Sequence, residues 1–295
     1  MANISTPFGF QQYRGTGSAP TFEQTPAALL STNTTAIGFG DPVCQATGTT
    51  GLGTGYIIQC PAPTTLAITG QSLSNGVMTE TFTALSPALA PPVGAWVVIY
   101  GGTTSGTVNG PWQILSSSTT TFTHNFAGAI STSTNTAVVF YPVAGVFAGC
   151  TYLSTAQKRR TWSNYWPGSD AAADGIAYLI TDPQAQFLVQ TANSNTTATA
   201  VGLTYIGQNI GHSLGTVNTA NGLSATYADQ YTLDANSGAG AAANSFLPWR
   251  ILGFPGSPLG VADALSGANG NDPTTAYNRI VVGFNNSMPR GFAGI

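Results

Sequence analysis

Hydrophobic positions in this chain come in short runs cut apart by turn residues, and the runs carry the period of strands. Thr79–Ala84 alternates threonine with apolar positions, the pattern of a strand with one buried face. Trp96–Tyr100 is a continuous apolar run ended by Gly101-Gly102, as expected of a strand buried on both faces. Strands are further predicted at Thr35–Phe39, which ends in the turn chemistry of Gly40-Asp41-Pro42, and at Gly55–Cys60, which stops at Pro61. Others fall at Pro111–Ser116, Thr119–His124, Ala137–Tyr141, Ile176–Ile180, Gln186–Thr191, Leu247–Phe254 and Arg279–Phe284. Asp182-Pro183, between two of these, reads as a hairpin connection. Short helical turns are expected only at Pro26–Leu30 and around Ser154–Arg160.

Composition points the same way. Helices draw on long side chains that keep rotamer freedom and line up charged neighbours, yet the chain holds one lysine, Lys158, and two glutamates, Glu23 and Glu80. Thr, Val, Ile, Tyr and Phe suit a pleated surface, and 36 Gly and 18 Pro punctuate it. The predicted class is all-β: a β-barrel or jelly-roll-like parent domain with an inserted small β-sandwich or barrel module and long loops.

Four sections are expected. Residues 1–24, with Pro7, Gly9, Gly15, Gly17 and Pro20 and no periodic apolar face, read as an extended arm of the kind that lies across neighbours. Residues 25–65 joined to 143–200 form the parent domain. Residues 66–142, bracketed by Pro61, Pro63 and Pro142, form an inserted module whose ends return close together. Residues 201–295 are a loop-rich β section packed on the parent, with Gly-, Asn- and Ala-rich stretches at Asn236–Asn244 and Ser266–Asp272.

Charge changes the picture most. Only 6% of residues are charged, against about 25% in an ordinary soluble domain. From Glu80 to Lys158 there is no other Asp, Glu, Lys or Arg. A free monomer normally carries more charge to stay dispersed, so much of this surface is expected to be covered by partners. An ordinary secreted β-protein with a hydroxyl-rich surface is the alternative. A net charge of −3 leaves no basic footprint for nucleic acid. Cys44, Cys60 and Cys150 have no metal-ligand spacing and fit buried thiols of a reducing cytosol, with a Cys44–Cys60 disulfide as the other option. The start Met1-Ala2-Asn3-Ile4-Ser5 has no basic or apolar leader region, and no apolar run is long enough for a bilayer, so a soluble protein without membrane partner is expected.

No constellation for catalysis stands out, and no cofactor or metal is called for. His124 and His212 lack a nucleophile elbow nearby and read as structural or exposed. Acids are scattered beside Pro or Gly as turn formers; Asp170 and Asp174 are the closest pair and read as loop solvation rather than a glycosidase pair. Asn269-Gly270-Asn271-Asp272 reads as a turn, since it lacks the further carboxylates of a calcium site.

Several segments carry a resemblance. Thr6-Pro7-Phe8-Gly9-Phe10, Ala36–Val43, Gly145–Gly149, Ser163–Pro167, Ala177–Val189, Ile206–Asn209, Leu247–Gly253 and Arg279–Asn285 follow one another as in a group of tailed-bacteriophage virion structural proteins. Within 66–142, Ser74-Asn75-Gly76-Val77, Val93-Gly94, Val108-Asn109-Gly110 and Thr119–Thr123 resemble a small β-module that recurs in phage head and tail proteins. The resemblance implies a capsid decoration (cement) protein on the outer surface of the virion, made in the host cytoplasm, partnered by the major capsid protein and by itself as a homotrimer. It implies no catalytic residue. A tail or fibre-associated, receptor-binding protein is the alternative.

The one basic cluster, Lys158-Arg159-Arg160, precedes Trp162, Tyr165 and Trp166, and arginine with large aromatics is the composition of interface anchors. These six residues, with Phe8, Phe10, Tyr13 and Arg14 of the arm, are the candidate contacts with the shell or a neighbouring subunit. The competing account places the aromatics in the core.

Overall fold

In a computed structural model of the chain, the structure describes residues 3–15, 24–47, 54–84, 90–101, 108–128, 135–233, 245–255, 271–272 and 274–287. The first strands are β1 (Gln11–Arg14), β2 (Thr25–Leu29), β3 (Pro42–Thr47) and β4 (Thr54–Gln59). The middle of the chain gives β5 (Thr64–Ser74), β6 (Val77–Phe82), β7 (Trp96–Tyr100), β8 (Gly110–Gln113), β9 (Ser116–Ser117), β10 (Thr121–Asn125) and β11 (Thr136–Phe140). Then come β12 (Gly145–Leu153), β13 (Arg160–Ser163), β14 (Gly175–Ile180), β15 (Gln186–Ala192), β16 (Asn209–Ser213), β17 (Tyr227–Asp229), β18 (Trp249–Gly253) and β19 (Arg279–Phe284). Helix among the described residues is limited to two three-residue 3-10 turns, Leu203–Tyr205 and Gln230–Thr232. The fold is all-β.

The strands sort into three sheets. The first runs β2-β14-β12-β3-β4, with β13 added on β12. It curls until its edge strands approach, and Asp174 joins the ends: its carboxylate accepts the Ser31 N–H and the Tyr56 hydroxyl, both at 2.9 Å. Its concave face holds Leu29, Ile37, Val43, Ile57, Phe147, Tyr152, Trp166 and Leu179.

The second sheet, β8-β7-β11-β5-β6-β10-β9, is made only of strands from Thr64 to Phe140. Its β5–β6 hairpin turns through Asn75 and Gly76, both at positive φ (49° and 77°), the backbone that a two-residue loop between right-twisted strands requires. The apolar run at β7 is buried on both faces, as its sequence predicts. Val97 and Ile99 point into the main core, while Val98, with Val138 and Phe140 of β11, is covered by Leu247.

The third sheet closes on itself. β15 pairs with β19 in antiparallel and with β17 in parallel, and β17-β16-β18-β19 completes the ring. Phe187, Val189, Ile210, Trp249, Ile251, Ile280, Val282 and Phe284 are buried in it. Residue 200 is therefore no sheet boundary, because β15 belongs with the later strands.

Four expectations are corrected. The described part of the arm, residues 3–15, is built into this ring rather than free. β1 pairs with β15, Phe10 is fully buried, and the Asn3 amide donates to the Asp272 carbonyl at 2.8 Å. Pro26–Leu30 is no helical turn: Thr25–Leu29 is an edge strand paired along its length with β14, where a proline is tolerated. Thr35–Phe39 forms only single bridges, Ile37 to Trp166 and Phe39 to Leu223. Asp182-Pro183 does turn the chain, with the Asp182 carboxylate accepting the Gln184 N–H at 2.8 Å, but β14 and β15 lie in different sheets. Turn chemistry reverses a chain without choosing its partner, and both edges of β14 are already taken by β2 and β12. Around Ser154–Arg160 the backbone makes one turn, Lys158 N–H to Ser154 carbonyl at 2.9 Å, as the loop between β12 and β13.

Candidate functional site

The loop and strand that follow β12 carry the cationic cluster. Lys158 sits at φ 56°, a left-handed position that sharpens the reversal, and Lys158, Arg159 and Arg160 are all exposed. Asp170 ties the loop down from beneath. Its carboxylate accepts the Ser154 hydroxyl at 2.6 Å and the Ala156 N–H at 2.9 Å, and these bonds hold it below the usual carboxylate range. Those donors occupy Asp170, and among the described residues none of the three cations is ion-paired with a carboxylate. The Arg159 guanidinium donates to the Gln157 side chain at 3.1 Å.

β13 lays the next residues on the convex face of the first sheet. Thr151 of β12 stands opposite Trp162 on one side and Ile176 of β14 on the other, and Ile176 stands opposite Ala28 of β2. Side chains two apart share a face, so Arg160 and Trp162, Thr151 and Leu153, Ile176 and Tyr178, and Pro26 and Ala28 form one surface. Trp162 is 62% exposed and Ile176 38%. The Trp162 ring lies over the backbone of Gly149, where any Cβ would stand 3.1 Å from it; Gly149, at φ 129°, sits in the irregularity of β12 opposite Tyr178. An exposed apolar face rimmed by polar and cationic side chains is the mark of a contact surface.

The other candidates lie elsewhere. Trp166 is fully buried in the concave core, its indole N–H donating to the Asn33 carbonyl at 2.9 Å, and Phe10 is fully buried in the ring. Neither is free to touch a partner, which corrects their inclusion. Large aromatics serve cores as readily as interfaces, and local sequence does not separate the two uses. Tyr165 is half-buried. Phe8 lies under the Arg279 guanidinium (5.5 Å to the ring centroid), and Arg14 over Tyr13 (5.3 Å), away from the β13 face. Tyr178, Ile176 and Leu153 complete the face: the sequence predicts the strand of the first two without showing which of its faces is open, and it does not single out β12 as a strand.

Comparison of the chain with protein-family models, with curated proteins and with solved structures found no match.

The buried polar groups are structural anchors. Asp41 accepts from Gly38 N–H, the Gln59 amide and the Thr226 hydroxyl, each at 2.7 Å, and from the Ser224 hydroxyl. Burial nonetheless pushes its carboxyl up, against those four donors. All three cysteines are buried free thiols, and burial raises Cys60 and takes Cys150 to about 12, far from a reactive thiolate. Among the described residues no three His, Cys, Asp or Glu side chains converge on a point that could hold a metal ion. No helix there is long and apolar enough to cross a membrane.

Proposed function

We propose that this chain is a structural subunit of a tailed-phage particle that decorates the outside of the capsid shell and clamps the seams between capsomers. One observation carries the reading: an exposed apolar sheet face centred on Trp162, flanked by Lys158, Arg159 and Arg160 with no carboxylate partner among the described residues, on a chain with only 6% charged residues. The chain as a whole is acidic, yet three of its seven basic residues crowd this one turn. Charge complementarity favours an acidic partner surface, which this proposal assigns to the major capsid subunit. The resemblance of the chain's segments to phage virion proteins supports the same assignment.

The mechanism is burial of surface. Trp162 supplies a large rigid anchor, the arginines supply direction, and the flanking Ile176 and Tyr178 exclude water around them. A stable interface buries about 1,200–2,000 Å² in total, with affinity set by the quality of its anchors. Shell lattices offer local threefold positions, and a homotrimer seated there would multiply each modest contact through avidity. Such contacts oppose the separation of capsomers when packaged DNA loads the shell.

Copy number in purified virions tests the proposal. Quantitative mass spectrometry is expected to find hundreds of copies, a simple fraction of the shell subunit count. A handful per particle would overturn it and place the chain in the tail, as a fibre-associated or receptor-binding component.

A further inference from the structure

A second feature lies far from the β13 face. Between the outer face of β11 and the closed ring there is a cavity of about 200 Å³. Its floor is apolar: Val138, Phe140 and Leu247 are all buried and pack on one another. Its wall is polar and built around the carboxylate of Asp229, itself only 4% exposed.

The hydrogen bonds of that wall decide what it can receive. One Asp229 oxygen accepts the Ser194 N–H at 3.0 Å and the Tyr231 N–H at 3.1 Å, and the other accepts the Ser194 hydroxyl at 2.6 Å. The Thr232 hydroxyl gives its proton to the Asp229 carbonyl at 2.6 Å. With these protons committed inward, the free lone pairs of the Asp229 carboxylate and the Ser194 hydroxyl are acceptors. A guest that brings donors fits those acceptors, while Thr65, Ser213 and Tyr231, which also line the cavity, carry hydroxyls that donate or accept. An anion is repelled by the carboxylate. A cation would exchange its water for a carboxylate whose charge three donors already disperse, against an apolar floor, and burying an ion on those terms is costly. What remains is a neutral molecule with hydroxyl donors on one side and a C–H face on the other. The volume lies below the roughly 300–1,000 Å³ of clefts that take drug-sized molecules, so it suits one ring rather than a chain.

We propose that this cavity binds a single neutral sugar ring, hydroxyl donors toward Asp229 and Ser194 and its C–H face on Val138, Phe140 and Leu247. The site is independent of the capsid-docking proposal and stands or falls separately.

Saturation-transfer NMR on the full chain, with the methyl glycosides of glucose, galactose, mannose, N-acetylglucosamine and rhamnose as probes, tests this. At least one is expected to give saturable binding. Thr65 is exposed, pairs with Val138 and lines the mouth, so Thr65→Trp should abolish the signal while far-UV circular dichroism and the melting temperature stay unchanged. Asp229→Asn, which weakens a charged acceptor, should lower affinity about 10- to 100-fold. Absence of saturation by every probe would overturn the proposal. So would binding that survives Thr65→Trp, or tetramethylammonium binding more tightly than any sugar.

Discussion

Phe10 lies stacked on the indole of Trp249, ring centroids 4.2 Å apart and planes 21° from parallel. Trp249 in turn stacks on Phe284 at 5.2 Å and meets Phe187 edge-on at 5.7 Å. The N-terminal segment thus supplies a core ring to a barrel whose other strands come from more than 170 residues away, since β15 begins at Gln186.

The first prediction concerns that segment. Phe10→Ala should cost about 3–5 kcal/mol, the range for deleting a buried phenylalanine ring. Removal of residues 1–14, which also strips β1, should cost more. Urea denaturation followed by tryptophan fluorescence measures both, and a truncated chain with an unchanged midpoint would refute the role assigned to Phe10.

Acid should weaken the ring through His212. Its Nδ1 accepts the Trp249 indole N–H at 3.3 Å, which leaves Nε2–H to donate to the Cys60 carbonyl at 2.9 Å, so the neutral ring is the one that fits. Burial lowers its pKa from 6.5 to about 4. The unfolded chain then binds a proton that the folded chain refuses. Stability from this group is complete above about pH 6.5, falls as pH drops toward 4, and levels off below it, a loss of about 3 kcal/mol. Denaturation midpoints at intervals between pH 7 and 4 check the slope, which His212→Gln should flatten.

Asp41 should tolerate loss of charge better than loss of oxygen. Its carboxyl is raised by burial, so ionisation is a cost there, and in Asp41→Asn the amide oxygen can serve Gly38 and Gln59 while its N–H₂ donates to the Ser224 and Thr226 hydroxyls. Asp41→Ala leaves those donors unpaired at about 1–3 kcal/mol apiece. Thermal unfolding of the two variants should rank Asn well above Ala.

In the second sheet, Glu80 and His124 face each other at 3.3 Å, both without exposed surface, and the Gln71 amide donates to the Glu80 carboxylate. His124→Leu removes one partner from a buried polar pair and should destabilise by about 3–5 kcal/mol. Adding Glu80→Gln should recover part of that loss. A double variant no better than the single one would argue against direct coupling.

Surface variants should separate docking from folding. Trp162→Ala and Arg159→Glu change exposed side chains, so each should shift stability by no more than about 0.5 kcal/mol. Both should reduce co-sedimentation of the chain with expanded shells. Variants that bind shells as fully as the parent would remove the β13 face from consideration.

Much of the fold was legible in sequence because strand formation is partly local. β7 and β19 match their predicted limits residue for residue, β14 and β15 within a residue or so, since apolar runs set off by nearby turn residues (Gly, Pro, Asn or Asp) mark where a strand begins and ends. The cationic turn and exposed Trp162 were also visible as residue types. Other strands were missed: β1 has the polar sequence Gln-Gln-Tyr-Arg, β2 has one proline and two alanines that read as a helical turn, and β12, though largely apolar, was not singled out as a strand.

What the chain's sequence determined alone was its class, its turns and its scarcity of ions. Which strand pairs with which, and which of several similar aromatics ends in water, were decided only in three dimensions. Trp162 and Trp166 are four residues apart in one segment, yet the first lies exposed over Gly149 and the second is sealed beneath the Asn33 carbonyl. The physical reason is that pairing and burial depend on contacts distant in the chain: β13 has a free outer face, while Trp166 bridges to Ile37 and is covered by the concave core.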